Sequence, residues 1–345
     1  MRSYDLAVDI TGATELPGTL RTAVTVHLPD RIDGPLDVLF GFPGGGFGRR
    51  YYDVQKLPGY SQAEHHTEQG FAFVACDHLG VGDSDQPDTF SLTYENLARA
   101  NHATTQAVVT GLREGTLVQD VGPIEVRTLV GMGQSMGGCL LTVQQANHAT
   151  FDGVAFLGWS GISTNFPAPD GGRITYAMPP RGTDLRPIAE QVLGVVAPDD
   201  SHYRYCFHWP DEEPELMEAD LASYRPYTDV VRGDHATPWG SVTVPACAIT
   251  MMTPGSVSKE AAAINVPVLV GSGERDTVPD PWAEPTAYRG TREVALVVLP
   301  RMAHMHNFAR TRVMLWDAIA HFARGIPAQH PSGDRPAVEI DDQSQ

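Results

Sequence analysis

Ser135 lies in Gly133-Gln134-Ser135-Met136-Gly137, a G-x-S-x-G pentapeptide that follows the apolar run Thr128-Leu129-Val130-Gly131-Met132. A strand, a sharp turn and then a helix is the context that gives this pattern chemical meaning. The turn strains the serine backbone and lifts its hydroxyl out of the sheet. A Cβ at Gly133 or Gly137 would collide with the neighbouring turn. Taken alone the pattern is weak, because 34 of the 345 residues are glycine and a glycine-rich turn with an ordinary serine reads the same way. A serine nucleophile needs an imidazole to take its proton and a carboxylate to orient that imidazole. It also needs N–H donors facing the developing oxyanion. Asp276 closes Gly273-Glu274-Arg275-Asp276 just past one apolar run, and His304 closes Met302-Ala303-His304 just past the next. Glu274 is the alternative acid. His306 is the alternative base, or else bonds a backbone carbonyl or rims the pocket. Upstream, Pro43-Gly44-Gly45-Gly46-Phe47 ends another apolar run. Three glycines in a row let backbone N–H groups converge on an oxyanion, although a flexible loop has the same composition.

These groups need elements to carry them. Residues 36–42, 71–76, 125–132, 151–159, 266–271 and 293–299 are short apolar runs of the kind buried on both faces of a parallel sheet. Residues 20–28 alternate apolar and polar, which predicts a half-exposed strand. Helices are predicted over residues 61–69 with Ser61 as N-cap and Gly70 as terminator, 93–113 ending at Gly115, and 136–149, with an amphipathic helix running to about Ala323. The alternation predicts an α/β fold, a doubly wound, mostly parallel sheet. Its reactive groups gather at the carboxyl ends of the strands, where Ser135, the glycine loop, Asp276 and His304 all fall. From Gly161 to about Asn265 the alternation gives way to proline, aromatic residues and short helical pieces, best over 184–196 and 214–224. The expected organisation is a core of residues 1–160 and 266–325, an inserted, largely helical cap at 161–265, and a loose tail at 326–345.

The chain resembles the α/β-hydrolase family from about Leu20 to Ala323. The matching pieces are the Ser135 elbow, the Gly44-Gly45-Gly46 loop, and the turn Asp77-His78-x-Gly80-x-Gly82-x-Ser84. The acid loop ending at Asp276 and the histidine loop ending at His304 complete the set. One departure is Pro43, at the place where esterases and lipases of the family often carry histidine. The resemblance implies a serine hydrolase with the α/β-hydrolase fold and no cofactor. Ser135 is nucleophile, His304 base and then acid, and Asp276 its orienter. The oxyanion donors are the N–H of Met136 and one from Gly44, Gly45 or Gly46. Phe47, Gln134, Trp159 and His306 flank these loops as candidate substrate contacts. A serine nucleophile argues against the haloalkane dehalogenases and epoxide hydrolases of this fold, which form an ester on a carboxylate.

Aromatic and methionine residues in the cap suggest a fairly apolar, uncharged ester or lactone as substrate. Carbon–carbon bond hydrolysis or acyl transfer on the same triad, and a non-catalytic ligand-binding protein on the same scaffold, are the alternatives. A formal net charge of −18 argues against nucleic acid or an anionic membrane surface as partner. The four cysteines, Cys76, Cys139, Cys206 and Cys247, have no metal-ligand spacing and read as free thiols. No apolar signal segment follows Met1, and no run approaches a membrane span. A cytoplasmic protein acting on a small molecule is therefore expected. A homodimer is left open.

Overall fold

A computed structural model describes residues 1–188, 200–223 and 237–327. Its centre is an eight-stranded sheet in the order β1-β2-β4-β3-β5-β6-β9-β10. The strands are β1 (Arg2–Asp9), β2 (Arg21–Leu28), β3 (Leu36–Phe42), β4 (Ala72–Cys76), β5 (Val126–Gln134), β6 (Gly153–Leu157), β9 (Val268–Gly273) and β10 (Val294–Leu299). β2 runs antiparallel to β1 and β4, and the six strands from β4 to β10 are mutually parallel. The doubly wound sheet and its inserted cap are the α/β-hydrolase topology. Helices α1 (Gln62–Glu68), α2 (Tyr94–Glu114) and α3 (Met136–His148) lie where expected. Ser61 caps α1 by accepting from Glu64 N, and Thr93 caps α2 by accepting from Asn96 N. Gly115 ends α2 in the left-handed region at φ 70°.

Two differences have simple causes. β1 escapes a reading based on apolar runs because it is a half-exposed edge strand, with burial alternating along RSYDLAVD. The predicted half-exposed strand is instead buried at every position after Arg21. It is an inner strand between β1 and β4, and its polar side chains find partners. Thr25, for example, donates to Asp5.

The inserted segment contributes the small hairpin β7 (Phe166–Pro167) and β8 (Arg173–Ile174). Helices α4 (Asp200–Phe207), α5 (Pro214–Ser223) and α6 (Ser258–Ala263) follow. α5 matches its predicted start. Of the helix expected over 184–196, residues 186–188 form a turn and residues 189–196 lie outside the described residues. Most of the expected tail, residues 328–345, does as well. α7 (Arg312–Gly325) closes the core beside α1. One apolar layer fills the space between the sheet and α2 and α3, and a second fills the space towards α1 and α7.

Candidate active site

The elbow is built as its glycines require. Ser135 sits between β5 and α3 at φ 52° and ψ −117°, a region that L residues rarely occupy. Its N–H donates to Leu157 O at 2.9 Å, tying the turn to β6. A Cβ on Gly133 would lie 2.4 Å from Gly137 O, and one on Gly137 would lie 2.1 Å from Phe42 O. These obstacles are backbone atoms, so no side-chain adjustment relieves them. Ser135 itself is half-buried, open to a reactant.

The glycine loop lies directly against this turn. A Cβ on Gly44 would fall 3.2 Å from Ser135 Cβ, and one on Gly45 would touch the Met136 side chain at 3.7 Å. His78, read from sequence only as part of a structural turn, anchors the loop. Its Nε2–H donates to Pro43 O at 3.1 Å, while Nδ1 accepts from Asn101 Nδ2 at 3.1 Å. Across a trans peptide the C=O and the next N–H point in opposite directions. Holding Pro43 O towards His78 therefore turns the Gly44 N–H the other way. The far end of the loop is fixed through the buried Arg49–Asp77 pair. The Asp77 carboxylate accepts from Arg49 N at 2.5 Å, Arg49 Nη1 at 2.6 Å and Asp83 N at 2.9 Å. Gly82 at φ 58° is required here, because a Cβ would sit 2.4 Å from that carboxylate.

Asp276 and His304 meet at the ends of β9 and β10. The His304 Nδ1–H donates to Asp276 Oδ1 at 2.7 Å, and both residues are almost completely buried. This bond leaves the lone pair of His304 on Nε2. Asp276 also accepts from Thr277 N at 2.7 Å and Gly273 N at 2.8 Å. Burial alone would raise its pKa, but His306 and His304 hold it well below the usual carboxylate range. Glu274 is spent elsewhere, accepting from Arg301 N at 2.8 Å. No hydrogen bond joins Ser135 Oγ to His304 in this structure. Gln134 Nε2 lies 3.4 Å from His304 Nε2 and donates to His304 O at 3.1 Å.

The four residues expected to touch substrate are placed differently from one another. Gln134 is inside the site. Phe47 is buried, pairing with Gly240 and packing on Tyr51. Trp159 is 3 % exposed, sits against Gly138, and buries its Nε1 without a partner. His306 does not rim the pocket or bond a carbonyl. It is 2 % exposed and its Nε2 lies 2.7 Å from Asp276 Oδ2. The short 3-10 turn His306–Phe308 points it inward, a direction that residue spacing does not encode.

The cap touches both halves of this arrangement through backbone. His304 N donates to Cys206 O at 3.2 Å and Met305 N to Phe207 O at 2.8 Å. On the other side, Gly48 N donates to Trp239 O at 2.8 Å and Ser241 N to Gly46 O at 2.9 Å. The Phe207 ring stands edge-on to His304, centroids 4.9 Å apart at 87°. Deeper in the cap, buried His208 is held between Glu212 at 2.7 Å and Asp220 at 3.0 Å. The two carboxylates outweigh the burial cost and push its pKa up to about 9.

Buried titratable groups give stability a definite pH dependence. Burial lowers the pKa of His27, His66 and His148, and pushes His78 and His102 down to about 4. Such groups contribute stability that is present above the unfolded value of 6.5 and is lost as pH falls through the folded value. His78 alone accounts for roughly 3 kcal/mol between pH 6.5 and 4, using about 1.4 kcal/mol per unit. Glu284, buried and raised to about 7, opposes this by destabilising as pH rises from 4.5. His208 adds stability that is present below 6.5 and lost as pH rises through 9. Urea midpoints are therefore expected to fall between pH 6.5 and 4. They should fall less steeply in His78→Gln, which keeps a donor for Pro43 O but has no imidazole to titrate. Equal slopes in the two proteins would refute the assignment.

The family described as serine aminopeptidase, S33 matches residues 60–308, more than half of the chain. The chain belongs to this family, within the α/β-hydrolases. The buried His304–Asp276 pair is of the kind typical of serine hydrolases. Solved structures of similar fold include a thermophilic esterase from Thermogutta terrifontis at 16 % identity and TM-score 0.61, covering 93 % of this chain and 99 % of that one. A bromoperoxidase from Bacillus anthracis has 15 % identity and TM-score 0.60, covering 93 % and 100 %. A proline iminopeptidase from Mycobacterium smegmatis has 16 % identity and TM-score 0.56, covering 93 % and 99 %. At these identities the likeness is one of fold. Among curated proteins no sequence matches this chain. Among its described residues no group of three or more His, Cys, Asp or Glu is arranged to hold a metal ion, and no helix is long and apolar enough to cross a membrane.

Proposed function

We propose that the hydrolase cleaves a carboxylic ester or lactone of a small, fairly apolar molecule through an acyl-enzyme on Ser135. His304 Nε2 takes the Ser135 proton as the hydroxyl attacks the acyl carbonyl, then returns it to the leaving oxygen. Water repeats the sequence in reverse and releases the acid. Asp276 holds His304 in the tautomer with Nδ1 protonated and stabilises the imidazolium that forms. Met136 N–H and Gly44 or Gly45 N–H receive the oxyanion. The observation that carries the reading is the meeting at one sheet edge of three parts: a strained Ser135, a glycine loop packed on Ser135 and Met136, and the Asp276–His304 pair. The bond from Ser135 Oγ to His304 is one that forms on substrate binding, when the long Gln134 contact gives way.

The apolar preference rests on the cap, residues 161–265, taken here as the specificity unit. Its Phe207 ring stands against the base. The experiment is a fluorophosphonate probe followed by peptide mapping, together with a panel of esters, lactones and N-terminal prolyl amides of increasing chain length. The expected results are one adduct, on Ser135, and turnover that favours uncharged acyl esters over the amides. An adduct elsewhere, or none, would remove the nucleophile assignment. Preference for the prolyl amides would make this a peptidase. Added alcohol or amine acceptors that divert the product would make it an acyltransferase.

A further inference from the structure

Asp276 serves two imidazoles, not one. Its Oδ1 faces His304 Nδ1 and its Oδ2 faces His306 Nε2, each at 2.7 Å, so the carboxylate bridges rings whose centroids are 6.3 Å apart and inclined at 75°. With Gly273 N and Thr277 N this makes four N–H donors on one buried carboxylate, two to each oxygen. His306 Nδ1 is buried without a partner. That geometry fits the tautomer with its proton on Nε2, because the other tautomer would bury a donor with nothing to accept it and lose the bond to Asp276.

We infer that His306 is a positioning residue for the proposed acyl transfer: it clamps Asp276 so that the carboxylate plane presents Oδ1 to His304. This inference rests on the acyl-enzyme reading above. Two consequences follow from the chemistry. First, with two donors on each oxygen the carboxylate cannot rotate without losing bonds, which fixes the His304 ring through Oδ1. Second, the His306 bond disperses the Asp276 charge, so Asp276 attracts the His304 imidazolium less than a less fully bonded carboxylate would.

The other groups facing this cluster come from several elements. Arg173 of β8 donates to Asp276 O at 2.9 Å and attracts its carboxylate. The Tyr51 hydroxyl accepts from Asn307 N at 3.2 Å and is kept neutral by burial. Thr277 Oγ1 lies 3.4 Å from His304 Nδ1. Cys206, with its thiol pushed up to about 12 by burial, packs from the cap, and Glu212 and Asp220 lie behind Tyr51. None of these supplies a third donor to Asp276 Oδ2, so removing His306 leaves a place that they do not fill.

The test is a set of three substitutions assayed for kcat, KM and the acid limb of the pH profile, with Ser135→Ala alongside. In His306→Phe, kcat should fall about 10- to 100-fold, the loss typical of a slightly misplaced catalytic group, with KM within about two-fold. The acid limb of kcat/KM should move to higher pH, because the Asp276 charge is no longer dispersed by the His306 bond. In His306→Gln the amide nitrogen reaches the place of Nε2, and most of the rate and the wild-type pH profile should return. His306→Asn, one bond shorter, should resemble His306→Phe. These two polar variants carry the test if the Phe variant does not fold. Wild-type kcat and pH profile in a His306→Phe protein that has lost only thermal stability would overturn the inference. So would folded Gln and Asn variants with equal activity. Turnover surviving in Ser135→Ala would instead overturn the acyl-enzyme reading. An inactive Ser135→Ala beside an unaltered His306→Phe would overturn only the clamp.

Discussion

Ser135→Ala is expected to lower kcat by about 10⁴- to 10⁶-fold, the range found when a serine nucleophile is removed and only binding and oxyanion stabilisation remain. The fold should survive. Alanine tolerates the strained φ of 52° no worse than serine does, and the N–H that bonds Leu157 O is retained. KM should change little, since the hydroxyl meets substrate mainly in the reacting state. The measurement is steady-state turnover of the best ester in the panel, with circular dichroism to check folding. A loss below about ten-fold would mean that another group attacks the substrate.

Asp276→Asn is expected to cost about 10⁴-fold in kcat, through the tautomer of His304 and not through the shape of the site. Here the substitution is harsher than a single hydrogen bond suggests. Four N–H groups converge on the two Asp276 oxygens, and an asparagine offers them only one oxygen. Its NH₂ must face donors at the other position. If it faces His304, that ring moves its proton to Nε2 and can no longer accept from Ser135. If it faces His306, that ring must accept through Nε2 and carry a buried proton on an Nδ1 that has no partner. Stability should also drop, by about 1–3 kcal/mol for a buried donor left unsatisfied. The experiment compares kcat and the urea midpoint of the variant with wild type. A rate within about ten-fold of wild type together with an unchanged urea midpoint would exclude Asp276 as the residue that orients the base.

The parts of this site that could be read in the sequence were those marked by residue type. Gly133 and Gly137 are glycines because backbone atoms occupy the space a side chain would need, and that demand leaves a pattern. The buried strands show as apolar runs because both faces of an inner parallel strand are covered. Asp276 and His304 follow such runs, so their place at the sheet edge could be inferred. Contacts set by direction rather than type could not be read. His306 lies two positions beyond His304, and only the turn His306–Phe308 decides that it faces Asp276. His78 sits in a run whose glycines and serine mark a turn, but its hold on Pro43 O depends on the meeting of β3 and β4. β1 is legible only as an alternation of weakly apolar residues, since an edge strand has little to bury.

The cap is joined to the histidine loop at residues 206–207 and to the glycine loop at residues 239–241, and the four bonds at these joins are all between main-chain atoms. A main-chain bond is indifferent to which side chain its residue carries. The path of the insertion is therefore constrained while much of its composition is free. Side chains of the insertion can be exchanged while these main-chain bonds to His304, Met305, Gly46 and Gly48 persist. A cap transplanted from a relative, by contrast, must reproduce the course of these two stretches before its own preferences can count. The stitching fixes the course of the cap at two places and leaves its side chains open to change.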